Sequence, residues 1–351
     1  MKPSAELRSK PVRVGCIGLG WITQRAHLPA LAALAEEGQV VFQAFCDKSE
    51  ETLQEQAAIY KPHSTYTDHH QMFAEQELDA VYLSIPPTAH TDEVLIAADQ
   101  GVALFVEKPQ TLDLAQVVEF NAAIEKAGIV SQVGFVYRYE PSSAPTLELL
   151  QQRTPRHAQI QNFYSGQPIR YWTSRYELCG GSFVENTIHS VDLLRYLLGD
   201  IEAVSAFYVE SRPDERIEPM NLPHVYNVNY RFEGRLTANA SVSRVMSNVD
   251  YSRREILVVS DDSIIEWNPQ KVTENGEVVW EAKEEPQSRG AFFAQARAFI
   301  AAVQAGDPSM PRSPYVPSLN SLAAVLGANA SAESGGELVL LSDLIGANAG
   351  N

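Results

Sequence analysis

The N-terminal part of the chain alternates short apolar runs with longer segments whose apolar residues recur every three to four positions. Apolar runs that end at glycine, proline or charged residues predict buried strands, and the longer periodic segments predict amphipathic helices. The predicted strands are Val12–Ile17, Val40–Cys46, Ser64–Tyr66, Ala80–Ile85, Val102–Val106 and Ile129–Phe135. Because strands alternate with helices, the pattern indicates a parallel, doubly wound α/β sheet.

After Tyr139 the pattern changes to consecutive strands, several of them joined by short turns such as Glu233–Gly234 and Asn275–Gly276. Strands joined by such turns pair antiparallel. The predicted strands are Ala158–Tyr164, Ile201–Val209, Val225–Phe232, Leu236–Val245, Glu255–Val259, Ser263–Trp267 and Glu277–Ala282. Two domains are therefore expected, one over residues 1–135 and one over residues 136–351, and a second subunit is one way to cover the free face of the second sheet.

A helix predicted between Gly180 and Gly199 carries an unusually narrow polar stripe, with Ser182 as its expected N-cap. At 3.6 residues per turn the stripe contains Glu185, His189, Asp192 and Tyr196. Apolar residues flank it on both sides, whereas a solvated helix carries a broad polar face. The pattern favours a buried helix that points these side chains into a cavity. An internal hydrogen-bonded ladder that only stabilises the core is the alternative.

Composition excludes several classes of protein. The 351 residues are 45% hydrophobic and 20% charged, which is typical of a folded globular protein, and the net charge is −17. This charge argues against nucleic-acid binding, which needs clustered lysine and arginine. No apolar run approaches the roughly 20 residues that span a bilayer, so no membrane partner is expected.

Cysteine usage and the N-terminus indicate a cytoplasmic protein. Cys16, Cys46 and Cys179 are odd in number and lack the spacing of metal ligands, which fits a reducing compartment and predicts no metal site. Residues 1–10 are polar and lack the apolar segment of a signal peptide.

The first predicted strand ends in a glycine turn that fits a dinucleotide. Gly18 and Gly20 stand at a strand-to-helix junction, where glycines let the backbone approach a pyrophosphate that the helix N-terminus stabilises. The match to the dinucleotide fingerprint is partial, because Thr23 occupies the place of the third glycine. Asp47 ends the second strand and would accept hydrogen bonds from a ribose diol, which favours NAD. Lys48 beside it leaves NADP possible.

Lys108 follows another predicted strand, between Glu107 and Pro109. Ligands of doubly wound sheets bind beyond the carboxyl ends of the strands, and Gly18, Asp47 and Pro86 end strands as well. A lysine there can donate a hydrogen bond to the reacting oxygen of a substrate. A strand-end lysine paired with Glu107 is the alternative.

The chain carries a set of motifs that resembles the glucose–fructose oxidoreductase, inositol dehydrogenase and rhizopine-catabolism (Gfo/Idh/MocA) family. These motifs cover nearly the whole chain and follow the order that they have in the family. The motifs are Gly18–Ile22, Ser84–Pro87 with His90, Glu107–Pro109, Gly134–Tyr139, and Gly180–Gly181 followed by His189 and Asp192. The resemblance implies an N-terminal NAD(P)-binding Rossmann domain over residues 1–135. It also implies a C-terminal α+β domain over residues 136–351, with an open, mostly antiparallel sheet that binds substrate and joins subunits into a homo-oligomer, a dimer or tetramer.

The family's functional residues carry over to matching positions. Lys108 would contact both cofactor and substrate, His189 would be the general acid/base, and Glu185 stands where many members have aspartate. The residues expected at the cofactor are Gly18, Gly20, Trp21, Ile22, Asp47, Lys48, Ser84, Pro86, His90, Glu107, Lys108 and Arg138. Those expected at the substrate are Lys108, Tyr137, Trp172, Arg175, Glu185 and His189, with Lys108, His189 and Glu185 as the catalytic group.

The function that this resemblance implies is hydride transfer between NAD(P) and a secondary alcohol or ketone of a sugar, cyclitol or related polyol. Two alternatives stay open at the level of sequence. One is an NAD-dependent glycoside hydrolase of the same family, and the other is a regulator that senses nicotinamide and sugar without turnover.

Overall fold

The computed structural model describes residues 10–165, 171–210, 221–246, 250–283 and 290–348. A parallel sheet is formed by the N-terminal part of the chain. Its strands are β1 (Val12–Ile17), β2 (Val40–Cys46), β3 (Ser64–Tyr66), β4 (Ala80–Leu83), β5 (Ala103–Val106) and β6 (Ser131–Val133). Their order is β3-β2-β1-β4-β5-β6, so the chain reverses its direction across the sheet between β1 and β4. In doubly wound folds a ligand cleft opens beyond the strand ends at such a reversal.

Helices connect these strands. They are α1 (Leu28–Glu36), α2 (Glu50–Tyr60), α3 (His69–Glu75), α4 (Glu93–Asp99) and α5 (Leu114–Ala127). Side-chain caps fix several starts: the Ser49 hydroxyl oxygen accepts a hydrogen bond from the Thr52 N–H at 3.2 Å, and Asp113 caps α5 in the same way. A π-helical turn, Thr23–His27, precedes α1, so the predicted helix begins irregularly where it meets the glycine turn.

The second sheet has nine strands and follows later in the chain. Its strands are β7 (Pro155–Ser165), β8 (Ile201–Val209), β9 (Val225–Phe232), β10 (Thr237–Met246), β11 (Ser252–Ser260), β12 (Ile264–Trp267), β13 (Lys271–Glu274), β14 (Glu277–Glu281) and β15 (Val339–Leu340). Their order is β14-β13-β12-β11-β7-β10-β9-β8-β15. Neighbouring strands pair antiparallel apart from β7 and β10, which run parallel. The predicted combination of a doubly wound parallel sheet with a mostly antiparallel one is confirmed.

The remaining helices are α6 (Ser143–Leu150), α7 (Tyr176–Cys179), α8 (Ile188–Leu198), α9 (Gly290–Ala305), α10 (Leu319–Glu333) and α11 (Leu341–Gly346). Helices α8 and α10 pack on the second sheet, and one continuous apolar core extends from Leu83 and Val106 to Ile160 and Val204. This core fixes the two sheets against each other.

Helix α9 returns to the first sheet. Phe299 and Ile300 pack with Val14 and Phe105, beside strands that lie far earlier in the sequence. The division of the chain at residue 135 remains a prediction.

Among the described residues, no helix combines the length and apolar character needed to cross a bilayer.

Candidate active site

A cleft of about 1200 Å³ opens at the carboxyl ends of the parallel strands and extends to helix α8. It is larger than the ~300–1000 Å³ of ordinary small-molecule pockets, which leaves room for a dinucleotide and a substrate together. Most of the predicted site residues line it: Gly18, Gly20, Trp21, Ile22, Asp47, Lys48, Ser84, Pro86, Glu107, Lys108, Tyr137, Trp172, Glu185 and His189.

The glycine turn has two glycines with different roles. Gly18 adopts a φ of 83°, and a Cβ there would lie 2.4 Å from the Ser84 carbonyl oxygen, so only glycine fits. A Cβ on Gly20 would meet no atom within 4 Å, because this residue faces the open cleft. Thr23 replaces the third glycine of the fingerprint, and its hydroxyl closes the turn by donating a hydrogen bond to the Gly18 carbonyl at 2.7 Å.

Asp47 lies at the end of β2, beside this turn. Its two carboxylate oxygens accept hydrogen bonds from the N–H groups of Leu19 and Ser49, at 2.7 and 2.8 Å. These bonds hold the carboxylate at the edge of the cleft, and each oxygen keeps a lone pair that a ribose hydroxyl could use. Lys48 is exposed at the same edge. The open space over Gly20 and the fixed Asp47 carboxylate both fit the nucleotide half of a nicotinamide cofactor.

Lys108 reaches from the end of β5 to the turn that precedes α8. Its Nζ donates a hydrogen bond to the Glu185 backbone carbonyl at 2.6 Å and lies 3.6 Å from Glu185 Oε1. Both side chains are largely enclosed, at 14% and 10% exposure. The ammonium is therefore held at the point where the parallel sheet meets the central helix, which is where a substrate oxygen would need a hydrogen-bond donor.

The adjacent Glu107 is fixed by His27, a residue that the sequence analysis did not select. Glu107 Oε1 lies 2.8 Å from His27 Nε2, and Glu107 Oε2 accepts a hydrogen bond from the Lys108 N–H at 3.0 Å. His27 is itself buried against the rings of Tyr82 and Phe105. The alternative of a Lys108–Glu107 side-chain pair is not observed: Glu107 contacts the Lys108 backbone, and the Lys108 ammonium points into the cleft.

His189 lies on α8 and faces the same cleft. Its ring stacks on Tyr137 with centroids 4.9 Å apart, and its Nδ1 is enclosed with no hydrogen-bond partner in the described chain. Nε2 is therefore the nitrogen available to a ligand. Burial lowers the pKa of His189 well below its ordinary value, and the positive charges of Lys108 and Arg254 lower it further. A neutral imidazole in this position can accept a proton.

The start of the central helix differs from the prediction. Residues Phe183–Thr187 form a π-helical turn, and α8 begins only at Ile188. Ser182 does not cap the helix; its hydroxyl donates a hydrogen bond to the Pro223 carbonyl instead. π-Helical turns are frequent at functional sites. Here the turn contains Glu185, the residue that binds Lys108.

The predicted polar stripe divides in two. Glu185 and His189 line the cleft, whereas Asp192 is fully buried behind it. Asp192 accepts hydrogen bonds from Arg138 Nε and from the Ser321 hydroxyl, both at 2.7 Å. Asp192 is therefore structural, but its partners lie outside the stripe, so it is not part of a ladder that joins Glu185, His189 and Asp192.

Three predicted site residues do not line the cleft. Arg138 is buried in a bidentate pair with Asp192, so its guanidinium is engaged away from the cofactor region. His90 pairs through Nδ1 with the Glu93 carboxylate and is buried. The Arg175 guanidinium lies over the Tyr171 ring, 5.4 Å from its centroid. Carboxylates engage Arg138 and His90, whereas the Arg175 guanidinium contacts the Tyr171 ring and the Arg175 Nε has no hydrogen-bond partner among the described residues.

Other residues line the cleft without a sequence signal. Arg254 on β11 and Glu140 after β6 reach it from distant parts of the chain. His69 and His70 also border the cleft, and each lies 2.9 Å from an oxygen of Asp92. No short motif places these residues together, because their proximity depends on strand register and loop path.

Comparison with known families agrees with this geometry. A sequence profile described as an oxidoreductase family with an NAD-binding Rossmann fold matches residues 12–135, and the profile of the GFO/IDH/MocA C-terminal domain matches residues 154–263. The chain belongs to the Gfo/Idh/MocA family. Residues 12–135 accordingly form an NAD-binding Rossmann fold.

Among relatives, the chain is 27% identical to myo-inositol 2-dehydrogenase of Thermotoga maritima over 56% of its own length and 58% of that protein. It is 30% identical to scyllo-inositol 2-dehydrogenase (NAD(+)) of Bacillus subtilis strain 168, over 39% of its own length and 41% of that protein. These alignments thus span about half of each relative. The chain is 25% identical to D-xylose 1-dehydrogenase (NADP(+)) 2 of Haloferax volcanii over 93% of its length and 99% of that protein.

Solved structures share the fold. A probable dehydrogenase from Thermotoga maritima superposes with a TM-score of 0.78 at 23% identity, covering 95% of this chain and 99% of the other. Levoglucosan dehydrogenase in complex with NADH and levoglucosan superposes with a TM-score of 0.81 at 17% identity, covering 94% and 99%. At this identity the similarity establishes the architecture only.

Proposed function

We propose that this protein transfers a hydride between NAD(P) and a secondary alcohol or ketone of a sugar, cyclitol or related polyol. The observation that carries the proposal is the meeting of Lys108, Glu185 and His189 in a cleft bordered by the glycine turn of an NAD-binding fold. The relatives support the substrate class, since they include inositol, D-xylose and D-apiose dehydrogenases.

The chemistry divides between cofactor and protein. The nicotinamide, when bound, accepts or returns the hydride, and the protein supplies orientation and charge. Lys108 donates a hydrogen bond to the reacting oxygen and stabilises negative charge that develops there. His189 takes the hydroxyl proton on Nε2 during oxidation and returns it during reduction. Glu185 holds the Lys108 ammonium in place through its carbonyl and lies close enough for its carboxylate to contact the substrate.

The residues proposed to bind the cofactor are those that line the cleft near the glycine turn. Gly20 would receive the pyrophosphate and Asp47 the adenosine ribose, with NAD preferred because the Asp47 carboxylate would repel a 2′-phosphate. Trp21, Ile22, Ser84, Pro86 and Glu107 complete the cofactor wall in this proposal.

Location and assembly form part of the proposal as well. Three buried free cysteines fit a reducing cytoplasm. The outer face of the nine-stranded sheet carries exposed Phe207, Val209 and Ile264, which fits a homo-oligomer, a dimer or tetramer joined through this sheet.

The decisive experiment is a screen for NAD+ and NADP+ reduction over sugars, inositols and amino sugars, followed at the NADH absorbance. We expect at least one polyol to give turnover, with NAD+ favoured over NADP+. Cofactor binding without turnover across the panel would indicate a regulator, and release of a sugar product without net NADH would indicate a hydrolase. Either result would contradict the proposal.

A further inference from the structure

Two neighbouring arginines of β11 face opposite sides of the second sheet. Arg253 forms an ion pair with Glu255 on the same strand, with 2.6 Å between nitrogen and oxygen. Arg254 follows on the opposite face and lines the active-site cleft. The alternation of side chains along a strand accounts for this division.

Arg254 forms no direct ion pair with a carboxylate among the described residues, although the Glu140 carboxylate is near enough to interact with its charge. Its guanidinium lies over the Tyr137 ring, with Cζ 4.9 Å from the centroid, and its Nε is enclosed without a hydrogen-bond partner. Arg138, Arg153, Arg156 and Arg195 each pair with a carboxylate. Arg175 and Arg244 also have an enclosed Nε without a hydrogen-bond partner, but of these three arginines Arg254 is the one that lines the cleft. Arg254 is partly buried and keeps one enclosed nitrogen without a hydrogen-bond partner, so an anionic ligand in the cleft would stabilise its charge.

Tyr137 connects Arg254 to the reaction centre. The same ring stacks on His189, with centroids 4.9 Å apart. Arg254 Cζ therefore lies within about 10 Å of the His189 ring, a distance set by these two contacts. A monosaccharide-sized molecule with its reacting hydroxyl at His189 can place a second group at the guanidinium.

The charges around the cleft limit what that second group can be. Glu140 and Glu185 line the same cleft, and their carboxylates would repel a dianion more strongly than a monoanion. A guanidinium matches the planar geometry of a carboxylate, to which it can donate two parallel hydrogen bonds.

We propose that the substrate carries a carboxylate that Arg254 binds, so that the protein acts on a sugar acid rather than on a neutral sugar. This inference rests on the proposed hydride transfer and narrows its substrate class. Arg254 would hold the carboxylate end while Lys108 and His189 act on a hydroxyl at the other end.

The test compares matched pairs of compounds on the intact protein. The pairs are D-glucose with D-glucuronate, D-galactose with D-galacturonate, and D-glucitol with D-gluconate, and D-glucose 6-phosphate serves as the phosphate probe. NAD+ reduction gives kcat/KM for each compound, and calorimetry gives its affinity for the NADH-loaded protein. The variants are Arg254→Gln and Arg254→Lys, with Arg253→Gln as the matched control on the opposite face.

We expect at least one acid to exceed its neutral partner in kcat/KM, and Arg254→Gln to lower the acid-to-neutral ratio by about 10- to 100-fold. Arg254→Lys should keep part of the preference through a single hydrogen bond, which also shows that the site is folded. Arg253→Gln should leave the ratio unchanged.

Equal preference for acid and neutral partners, or an acid preference that Arg254→Gln leaves intact, would overturn the inference. A preference for the phosphate probe over every carboxylate would overturn it too. If no compound is turned over, the proposed function fails, but calorimetry still decides the inference: uronate or gluconate binding that Arg254→Gln removes supports it, and no such binding refutes it.

Discussion

The ammonium of Lys108 donates a hydrogen bond to the backbone carbonyl of Glu185, 77 residues later in the chain, at 2.6 Å. This bond joins the end of a parallel strand to the turn that leads into α8. In the proposed reaction, the hydrogen-bond donor Lys108 is therefore held by one part of the fold and the proton acceptor His189 by another. A continuous apolar core fixes the two parts together.

Substitutions at the two glycines of the turn should distinguish an effect on protein stability from an effect on NAD binding. Gly20→Ala should change the free energy of unfolding by less than about 0.5 kcal/mol, because its Cβ enters open space, and should weaken NAD binding by blocking approach of the phosphates. Gly18→Ala should cost about 1–3 kcal/mol, since it combines a positive φ with a backbone clash. Thermal unfolding and NAD titration of both variants test this. Equal loss of stability in the two would contradict it.

Asp47 provides a test of cofactor preference. Asp47→Asn removes the negative charge next to the glycine turn, so KM for NAD+ should rise about tenfold while use of NADP+ improves relative to NAD+. The measurement is the ratio of kcat/KM for the two cofactors. Asp99→Asn, on an exposed helix end, is the matched control. An unchanged ratio in Asp47→Asn would place the ribose elsewhere.

The lowered pKa of His189 predicts an unusual pH dependence. Burial and the charges of Lys108 and Arg254 disfavour the imidazolium, so His189 should stay neutral below the ordinary histidine value of about 6.5. For alcohol oxidation, kcat/KM should therefore stay level as the pH falls through 6.5 and decline only below it. In Lys108→Met the pKa of His189 should rise, because one repelling charge is gone. An NMR titration measures the pKa of His189 in the wild type and in Lys108→Met, and comparison with His189→Gln assigns the resonance. A wild-type pKa at or above 6.5 would contradict the account.

The sequence was enough to predict the architecture, because its periodicity changes after Tyr139 from alternating strands and helices to consecutive strands. Two short strands were missed: β13, between β12 and β14, and β15, at the edge of the sheet, are only four and two residues long and carry no periodic signal. The turn before α8 was also missed, since a π-helical turn follows from packing around the site rather than from propensity.

Periodicity identified the polar face of α8 but not what packs against it. Asp192 lies on the same stripe as His189, yet Arg138 approaches it from the preceding part of the chain and makes it structural. Arg254 reaches the cleft through the register of β11 against β7, where it lies opposite Asn162. Relations of this kind are set by tertiary packing, so local motifs could not reveal them.

The central claim is that Lys108 and His189 act together on one substrate oxygen. The most direct measurement is kcat for Lys108→Met, His189→Ala and the double variant on the best polyol from the screen, with NAD+ affinity measured in parallel and exposed Lys126→Met as control. The account predicts that each single change lowers kcat by about 10²–10⁴ with NAD+ still bound, and that the double variant is little worse than the poorer single one. Wild-type-like kcat in both single variants with NAD+ bound would contradict it.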